Sequence, residues 1–144
     1  MMTINEYVGK LPIEIEAEIL NLVDECGITE PYDCACDLTY TWSTDGEIVA
    51  VMAFKLYSFA DGRILPRIQH VIFHPDYASK KKARTSFIFL RRVFVMVGDK
   101  GYPSVWAYIQ PVPVEEYMKK MAIKLGFKKY SEDAEGEYFA LQLT

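Results

Sequence analysis

The feature that most constrains this chain is the stretch Arg67–Lys100, in which an apolar segment, a basic loop and a long apolar segment follow one another. Ile68–Phe73 predicts a strand, and the pair His74-Pro75 ends it. The loop carries the lysine triplet Lys80–Lys82 and leads into a predicted helix. A strand–loop–helix unit directs the free backbone N–H groups of the helix N-terminus past the end of the sheet. This arrangement predicts a place where an anion binds.

The lysine triplet lies where a helix would disfavour it. The positive end of a helix macrodipole repels a nearby cation by up to about 1 kcal/mol. One interpretation is that a phosphate group binds in the loop and neutralises the three charges. The alternative is that the lysines are solvated on flexible stems and form an ordinary charged run. The residues themselves leave both interpretations open.

Length and composition limit the remaining functions. The chain has 144 residues, of which 51% are hydrophobic, and this is the size of one domain, so we predict a single domain over residues 1–144. The formal net charge of −4 argues against a nucleic-acid partner, which needs an extended basic face. No apolar run is long enough for a membrane span and no targeting segment is recognisable, so we expect a cytoplasmic protein without membrane contact.

The cysteine and histidine residues do not form a metal-binding pattern. Cys26, Cys34 and Cys36 are an odd number, and the Cys34-x-Cys36 spacing fits neither a zinc knuckle nor a dithiol redox motif. We therefore expect reduced thiols that mainly pack, although their role is not predicted. The only histidines are His70 and His74, so no metal site is expected.

Hydrophobic periodicity and turn residues predict the order of the elements. A helix comes first, followed by three hairpin-linked strands, a second helix, a parallel strand, a third helix and a final strand pair with an acidic turn at 131–136. The connection Glu30–Asp33 is rich in turn residues, and its structure is not predicted. The predicted bounds are Pro12–Cys26, Leu38–Trp42, Ile48–Phe59, Ile64–Phe73, Ala83–Val97, Ser104–Ile109, Val114–Leu125, Phe127–Tyr130 and Tyr138–Leu143.

This order resembles that of the GNAT superfamily of acyl-CoA-dependent N-acyltransferases, from about Pro12 to Leu143. Two sequence marks carry the resemblance: the run 71–77, read as Val-x-Phe-His-Pro-Asp-Tyr before the basic loop, and the run 124–127, read as Lys-Leu-Gly-Phe after a helix. The resemblance implies an α+β fold with a central mixed, mostly antiparallel sheet of six to seven strands flanked by helices. It also implies acetyl-CoA as cofactor.

The superfamily resemblance implies a set of cofactor-binding residues. In that superfamily a loop of pattern Gln/Arg-x-x-Gly-x-Gly/Ala wraps the pyrophosphate of coenzyme A, and the matching stretch here is 78–83. Ala78 replaces the Gln/Arg and Lys81 replaces the middle glycine, so the loop is eroded, and the lysines would compensate by charge. Acetyl-CoA is expected in a V-shaped gap between strands 68–73 and 104–109. The implied contacts are Ile72, Phe73, His74, Ala78, Ser79, Lys80, Lys81, Lys82, Ala83 and Arg84.

The catalytic positions of the superfamily are altered. Ala122 stands where many members have the tyrosine that protonates the leaving thiolate, and Gln69 stands where a glutamate base is common. His70 is the candidate catalytic residue, because an imidazole with a pKa near 6.5 can accept a proton from an ammonium substrate. The alternative is a structural histidine. His74 is expected either to contact the cofactor or to cap the loop.

Two functions follow from the resemblance. The first is an acetyl-CoA-dependent N-acetyltransferase whose acceptor is a small-molecule or peptide amine. The second is a catalytically silent GNAT-fold protein that binds a partner or forms a homodimer through its apolar surface, above all the helix 87–97. In its eroded loop the chain is similar to small bacteriophage-encoded GNAT-like proteins, some of which are virion components.

Overall fold

The computed structural model describes residues 2–77, 83–110 and 115–143, and these ranges contain seven strands and three helices. The strands form one mixed sheet in the order β1-β2-β3-β4-β5-β7-β6, which confirms the predicted α+β class. The elements are β1 Met2–Val8, α1 Ile13–Glu25, β2 Leu38–Thr44, β3 Glu47–Ser58, β4 Ile64–Phe73, α2 Ala83–Asp99, β5 Ser104–Ile109, α3 Glu115–Leu125, β6 Lys128–Asp133 and β7 Gly136–Gln142.

Local sequence explains several of these boundaries. The two-residue turn between β2 and β3 is Asp45-Gly46, and both residues have positive φ angles, 52° and 81°. Such angles suit the right-handed twist of a hairpin, and Gly and Asp adopt them at low cost. Gly126 follows the end of α3 with a φ of 100°, as expected for a glycine just past a helix C-terminus. The bounds of β4 and β5 agree with the prediction residue for residue.

Two parts of the predicted order were wrong. The chain begins with β1, which pairs antiparallel with β2, rather than with a helix. The sequence of β1 gives no clear strand alternation because it is an edge strand with polar residues such as Asn5 and Glu6. The strand β6 continues to Asp133, so the final turn is only the pair Ala134-Glu135 rather than the expected 131–136.

The chain divides into two compact units, and the first comprises Met1–Lys55 and Gln69–Val93. Its core forms where the apolar side of α1 packs on β3 and β4. Burying a side chain such as Ile19 or Leu22 stabilises the fold by about 1.5–3 kcal/mol. This cluster of buried side chains consists of Leu11, Ile19, Leu22, Val23, Val51 and Ile72.

The second unit comprises Leu56–Ile68 and Phe94–Thr144. Within it, β4 and β5 pair in parallel with Arg67 opposite Trp106, which confirms the predicted crossover. Alternation along β5 buries Val105 and Ile109, whereas Trp106 and Tyr108 lie on the other face and are half-buried. One face of this unit therefore carries aromatic side chains that reach solvent.

None of the helices in the described ranges has the length and apolar character that a membrane span requires.

Candidate functional site

The end of β4 is fixed on both sides within the first unit. The His74 N–H donates to the Val49 carbonyl at 2.8 Å, so the chain stays bonded to β3 one residue beyond β4. The Ile72 side chain is buried against α1, and the Phe73 ring packs edge-on against Phe89 of α2 at a centroid distance of 6.0 Å. The predicted cofactor-binding residues Ile72 and Phe73 therefore lie in backbone whose position is set by the core.

A thiol from α1's C-terminal end also contacts this backbone. Cys26 Sγ donates to the Phe73 carbonyl at 3.2 Å. Burial, with a smaller contribution from the charge of Glu25, raises the pKa of the Cys26 thiol, so it keeps the proton that it donates. The Phe73 carbonyl oxygen has two lone pairs, and one of them accepts the hydrogen bond from the Cys26 thiol.

His74 closes the turn that follows β4. Its Nδ1 accepts the Asp76 N–H at 3.2 Å, and its Nε2 lies 2.9 Å from Oε2 of Glu25. With Nδ1 acting as an acceptor, Nε2 carries the proton and donates to the carboxylate. These contacts describe the loop-capping role. The other predicted role, contact with a cofactor, stays a prediction.

The predicted pyrophosphate loop begins and ends at fixed points. Ser86 in the first turn of α2 donates its hydroxyl to the Tyr77 carbonyl at 2.8 Å. The Tyr77 ring packs edge-on against Trp42 at 5.1 Å, and Trp42 stacks on Phe89 at 5.8 Å. The two ends of the loop are therefore joined to each other and to the aromatic core. The N-terminus of α2 lies at the end of this closed segment.

Most of the predicted loop contacts lie outside the described residues, namely Ala78, Ser79, Lys80, Lys81 and Lys82. Ala83 is the first residue of α2, and Arg84 is exposed beside it. The first turn of α2 contains no acidic residue. A helix N-terminus without acids keeps its positive partial charge available for an anion.

His70, the predicted base, contacts the connection between α1 and β2. Its Nε2 accepts the Asp33 N–H at 3.0 Å, and the Tyr32 ring stacks on the imidazole at 4.3 Å. Burial lowers the pKa of His70, while the charges of Asp33 and Glu30 oppose that shift and Lys55 adds to it. The imidazole is thus neutral at pH 7, with its Nε2 lone pair committed to the backbone. These contacts describe the structural alternative, and a catalytic role for His70 stays a prediction.

Asp33 organises the same connection. Its Oδ2 lies 2.6 Å from Nζ of Lys55 on β3, and its Oδ1 accepts the Ala35 N–H at 2.9 Å. The hydrogen bond from Lys55, followed by that from Ala35, lowers the pKa of Asp33. The ion pair between these two residues was not predicted from the sequence. The available signal was Lys55 itself, because a lysine in an otherwise apolar strand needs a partner.

The three cysteines are free thiols, as expected. Cys36 donates to the Asp33 carbonyl at 3.2 Å, and burial raises its pKa to about 11. A thiol with such a pKa is protonated at neutral pH and is a poor nucleophile. The described residues contain no cluster of three or more His, Cys, Asp or Glu side chains that would bind a metal ion.

A second cluster of functional groups lies wholly within the second unit and surrounds Arg67 of β4. The guanidinium carbon is 5.2 Å from the ring centroid of Trp106 and 5.8 Å from those of Tyr57 and Tyr108. In the described part of the chain no carboxylate lies within ion-pair distance of this guanidinium, and its buried Nε has no hydrogen-bond acceptor. Cation–π contacts are worth about 0.5–2 kcal/mol each, but they leave that N–H unpaired.

Asp133, the last residue of β6, positions one of these rings, that of Tyr108, together with the neighbouring ring of Tyr138. Asp133 accepts hydrogen bonds from the hydroxyls of Tyr108 at 2.9 Å and Tyr138 at 3.2 Å, and from the backbone N–H groups of Glu135 and Gly136. Tyr108 and Tyr138 are paired across β5 and β7, with ring centroids 4.6 Å apart. Burial and the bond to Asp133 raise the pKa of Tyr108 to about 12.

Solved structures with similar folds include several acetyltransferases. An acetyltransferase of the GNAT family from Desulfovibrio desulfuricans superimposes with a TM-score of 0.78 at 10% identity, covering 100% of both chains. The ribosomal-protein-S18-alanine N-acetyltransferase of Escherichia coli gives 0.70 at 13% identity, covering 100% of this chain and 95% of that one. Arabidopsis thaliana Naa50, solved with the bisubstrate analogue CoA-Ac-MVNAL, gives 0.68 at 12% identity and 98% coverage of both.

This chain has the GNAT fold. No protein-family model matches the sequence, and no match was found among curated proteins. The similarity of the three-dimensional structures is therefore what establishes the fold.

Ala122 and Gln69 are the two positions at which the superfamily resemblance predicts altered catalytic residues, and both lie on described elements. Ala122 is buried in α3, and its methyl side chain has no proton to donate. Gln69 on β4 carries a side-chain amide, and its Oε1 is buried with no hydrogen-bond partner among the described residues. Neither position supplies an acid or a base.

Proposed function

We propose that this protein is an N-acetyltransferase that transfers the acetyl group of acetyl-CoA to an amine. The GNAT fold, shared with N-acetyltransferases of bacteria and plants, supports the proposal. The observation that carries it is the closed segment between Tyr77 and Ser86, which leads a lysine triplet to an acid-free helix N-terminus. Three lysines that precede a helix N-terminus favour a diphosphate as ligand, because backbone N–H groups and lysine charges both attract phosphate oxygens.

In this proposal the residues of β4 and the loop bind and orient the cofactor. The backbone of Ile72 and Phe73 would hold the pantetheine arm, with His74 beside it. Ala78, Ser79, Lys80, Lys81, Lys82, Ala83 and Arg84 would hold the pyrophosphate. Bound acetyl-CoA supplies an activated thioester. Orientation and a backbone N–H that stabilises the developing oxyanion would supply most of the catalysis, since Gln69 and Ala122 provide no proton transfer.

Calorimetry with acetyl-CoA tests the cofactor site directly. We expect the wild-type chain to bind with a dissociation constant in the micromolar range. The triple variant Lys80→Gln, Lys81→Gln, Lys82→Gln should bind at least about tenfold more weakly, because charged contacts to phosphate are lost. The matched control replaces three exposed lysines, Lys120, Lys124 and Lys128, by glutamine and should bind like the wild type. Absence of both heat and a thermal shift at millimolar acetyl-CoA would remove the proposal.

Turnover tests the transfer step. Release of the free thiol of coenzyme A is measured with a thiol reagent while a panel of polyamines and peptides with free N-termini is supplied. We expect slow release that depends on the amine. We expect His70→Gln to lower the rate if His70 accepts the amine proton, and to leave it unchanged if His70 is structural.

A second candidate function is a catalytically silent binding protein with the same fold. Two observations favour it: the absence of acid and base groups at positions 69 and 122, and exposed apolar side chains on α2. Ile88 and Val95 are 41% and 63% exposed and lie seven residues apart, on one side of the helix. The likeness to phage-encoded proteins and the homodimer stay predictions. Turnover by a monodisperse monomer would exclude this candidate.

A further inference from the structure

We propose that the aromatic cluster around Arg67 in the second unit is a binding site for a carboxylate that is attached to an apolar or aromatic group. This inference does not depend on acetyl transfer. It concerns a cluster formed by Tyr57, Trp106 and Tyr108 around the guanidinium of Arg67.

Arg67 lacks a counterion among the residues that the structure describes. In the described ranges no carboxylate forms an ion pair with Arg67, although its side chain is half-buried and its Nε is fully buried. Burying a guanidinium without a negative partner costs free energy that the aromatic rings offset only in part. An anion supplied by a ligand would provide the missing partner.

The same cluster contains a second unpaired donor. Trp106 Nε1 is also buried without a hydrogen-bond acceptor, and the Trp106 ring centroid is 5.2 Å from the guanidinium carbon of Arg67. Buried N–H groups are nearly always paired in folded proteins, so two orphans side by side indicate an absent acceptor. Arg67 and Trp106 are directly opposite each other in the parallel ladder of β4 and β5.

The chemistry of the cluster favours a carboxylate among the anions. A guanidinium binds the two oxygens of a carboxylate with two parallel N–H bonds, and phosphate is held in the same way. The nearby Asp133, which holds Tyr108 and Tyr138, adds a negative charge that disfavours a doubly charged phosphate more than a singly charged carboxylate. The surrounding rings then pack against the apolar part of the ligand.

The exposed edge of the aromatic cluster is formed by Tyr57. Tyr57 is 36% exposed and packs edge-on against Trp106 at 5.4 Å. Across the β5–β7 ladder, Trp106 faces the small residue Ala140. Tyr57 is the most exposed of the three rings that contact Arg67, so the proposal places the entrance for the ligand beside this ring.

The test uses the N–H signals of the two orphan donors in ¹⁵N-labelled protein. Phenylacetate is the probe, and phenylacetamide is its neutral control of nearly the same shape. We expect phenylacetate to shift the Trp106 Nε1–H and Arg67 Nε–H signals in a saturable way, and phenylacetamide to bind at least about tenfold more weakly. The chain has two tryptophans, so Trp106→Phe assigns one indole signal and Trp42 serves as the internal reference.

Variants separate binding from folding. Arg67→Gln should abolish the shift of the Trp106 signal, and Arg67→Lys, which keeps the charge but not the fork, should weaken binding at least about tenfold. Arg91→Gln is the control, because Arg91 also lies over a ring, that of Phe87, at 5.8 Å but is exposed. The melting temperature of Arg67→Lys shows whether the fold is kept.

Three results would overturn the proposal. The first is no shift with phenylacetate. The second is an equal shift with phenylacetamide, which would make the cluster an apolar slot rather than an anion site. The third is an equal response to inorganic phosphate, which would show only unselective attraction of anions to Arg67.

Discussion

Two half-buried cations, Lys55 in the first unit and Arg67 in the second, have different surroundings. Lys55 of the first unit lies 2.6 Å from Asp33, and that carboxylate is fixed by a further backbone hydrogen bond. Arg67 of the second unit contacts three aromatic rings and, in the described part of the chain, no carboxylate. The charge of Lys55 is therefore neutralised within the protein. The charge of Arg67 is surrounded by aromatic rings and has no anionic partner among the described residues.

This difference separates a structural ion pair from a candidate binding site. A charge that is paired inside the chain contributes to stability, and its removal leaves the partner uncompensated. A charge that is held by rings keeps its directional N–H groups available for a ligand. Changes in the first cluster should therefore alter stability, and changes at Arg67 should mainly alter binding. The following predictions test that contrast, beginning with the largest effect.

The largest effect on stability is expected at Gly136, which lies next to the Tyr108 ring of the aromatic cluster. A Cβ at this position would be 2.7 Å from the Ile109 carbonyl oxygen and 2.8 Å from the Tyr108 ring, so backbone and ring must both shift. Gly136→Ala should lower the free energy of unfolding by about 1–3 kcal/mol, as overpacking does. Urea unfolding measures the change.

The control for Gly136 is Gly98→Ala. There the new Cβ would be 3.4 Å from the Leu143 Cβ, an ordinary contact, in a helix that prefers alanine over glycine by up to about 1 kcal/mol. This variant should be as stable as the wild type or more stable. An equal loss of stability in both variants would show that Gly136 has no special contact with Tyr108.

The second prediction concerns the paired charge. Asp33→Ala removes the ion pair with Lys55, whose side chain is 34% exposed, and the turn hydrogen bond to Ala35. We expect the free energy of unfolding to fall by about 1–2 kcal/mol, the sum of a turn cap and a partly exposed ion pair. Chemical denaturation checks this value.

Asp61 offers a matched control. Its two oxygens bind the N–H and the guanidinium of Arg63 in the same local pattern, but the pair is exposed and contacts only its own turn. Asp61→Ala should cost less than Asp33→Ala. Equal losses would mean that the long-range contact with Lys55 contributes nothing.

The third prediction is a pH dependence that arises from His70. Burial lowers its pKa in the folded state, whereas the unfolded state has the ordinary value near 6.5. As the pH falls below about 6.5, the unfolded state binds the proton first, so the free energy of unfolding decreases and then levels off below the folded pKa. The contribution of the neutral imidazole to the free energy of unfolding is therefore fully present above about pH 6.5. Protonation of the imidazole at Nε2 would also break the hydrogen bond that the Asp33 N–H donates to it.

His70→Gln removes this titration while keeping an acceptor for the Asp33 N–H. The difference in unfolding free energy between wild type and variant should therefore change between pH 7 and pH 5. Asp33, Glu30 and Lys55 face the imidazole, and of these Asp33 titrates below its ordinary range. A difference that stays constant over this pH range would contradict the prediction.

The smallest effect is expected at Asp133, which lies at an exposed turn. The backbone bond from Glu135, then that of Tyr108, lowers the pKa of Asp133. Its stabilising contribution is thus present above the ordinary value near 3.9 and is lost as the pH falls through the folded pKa. Asp133→Asn should lower the melting temperature slightly at pH 7, and by less as the pH falls through the folded pKa. An equal decrease at pH 7 and below the folded pKa would show that charge is not the cause.

Much of the fold could be predicted because its determinants are local. Turn residues such as Asp45-Gly46 and the alternation along 104–109 fix where strands begin and end. The edge strand β1 was missed because its polar residues satisfy no pattern that requires a buried face. The candidate cofactor loop was recognised from the order of a strand stop, three lysines and an apolar helix, which is also local information.

The contacts that form the Asp33 cluster and the Arg67 cluster could not be predicted from the sequence. His70 meets Asp33 across 37 residues, and Arg67 meets Trp106 only because a crossover places β4 beside β5. Periodicity tells which face a side chain occupies, but the partner on that face depends on strand order and register. The sequence by itself determined the elements from α1 onward and their succession. The tertiary structure decided that Lys55 pairs with a carboxylate and that, among the residues the structure describes, Arg67 contacts aromatic rings but no carboxylate.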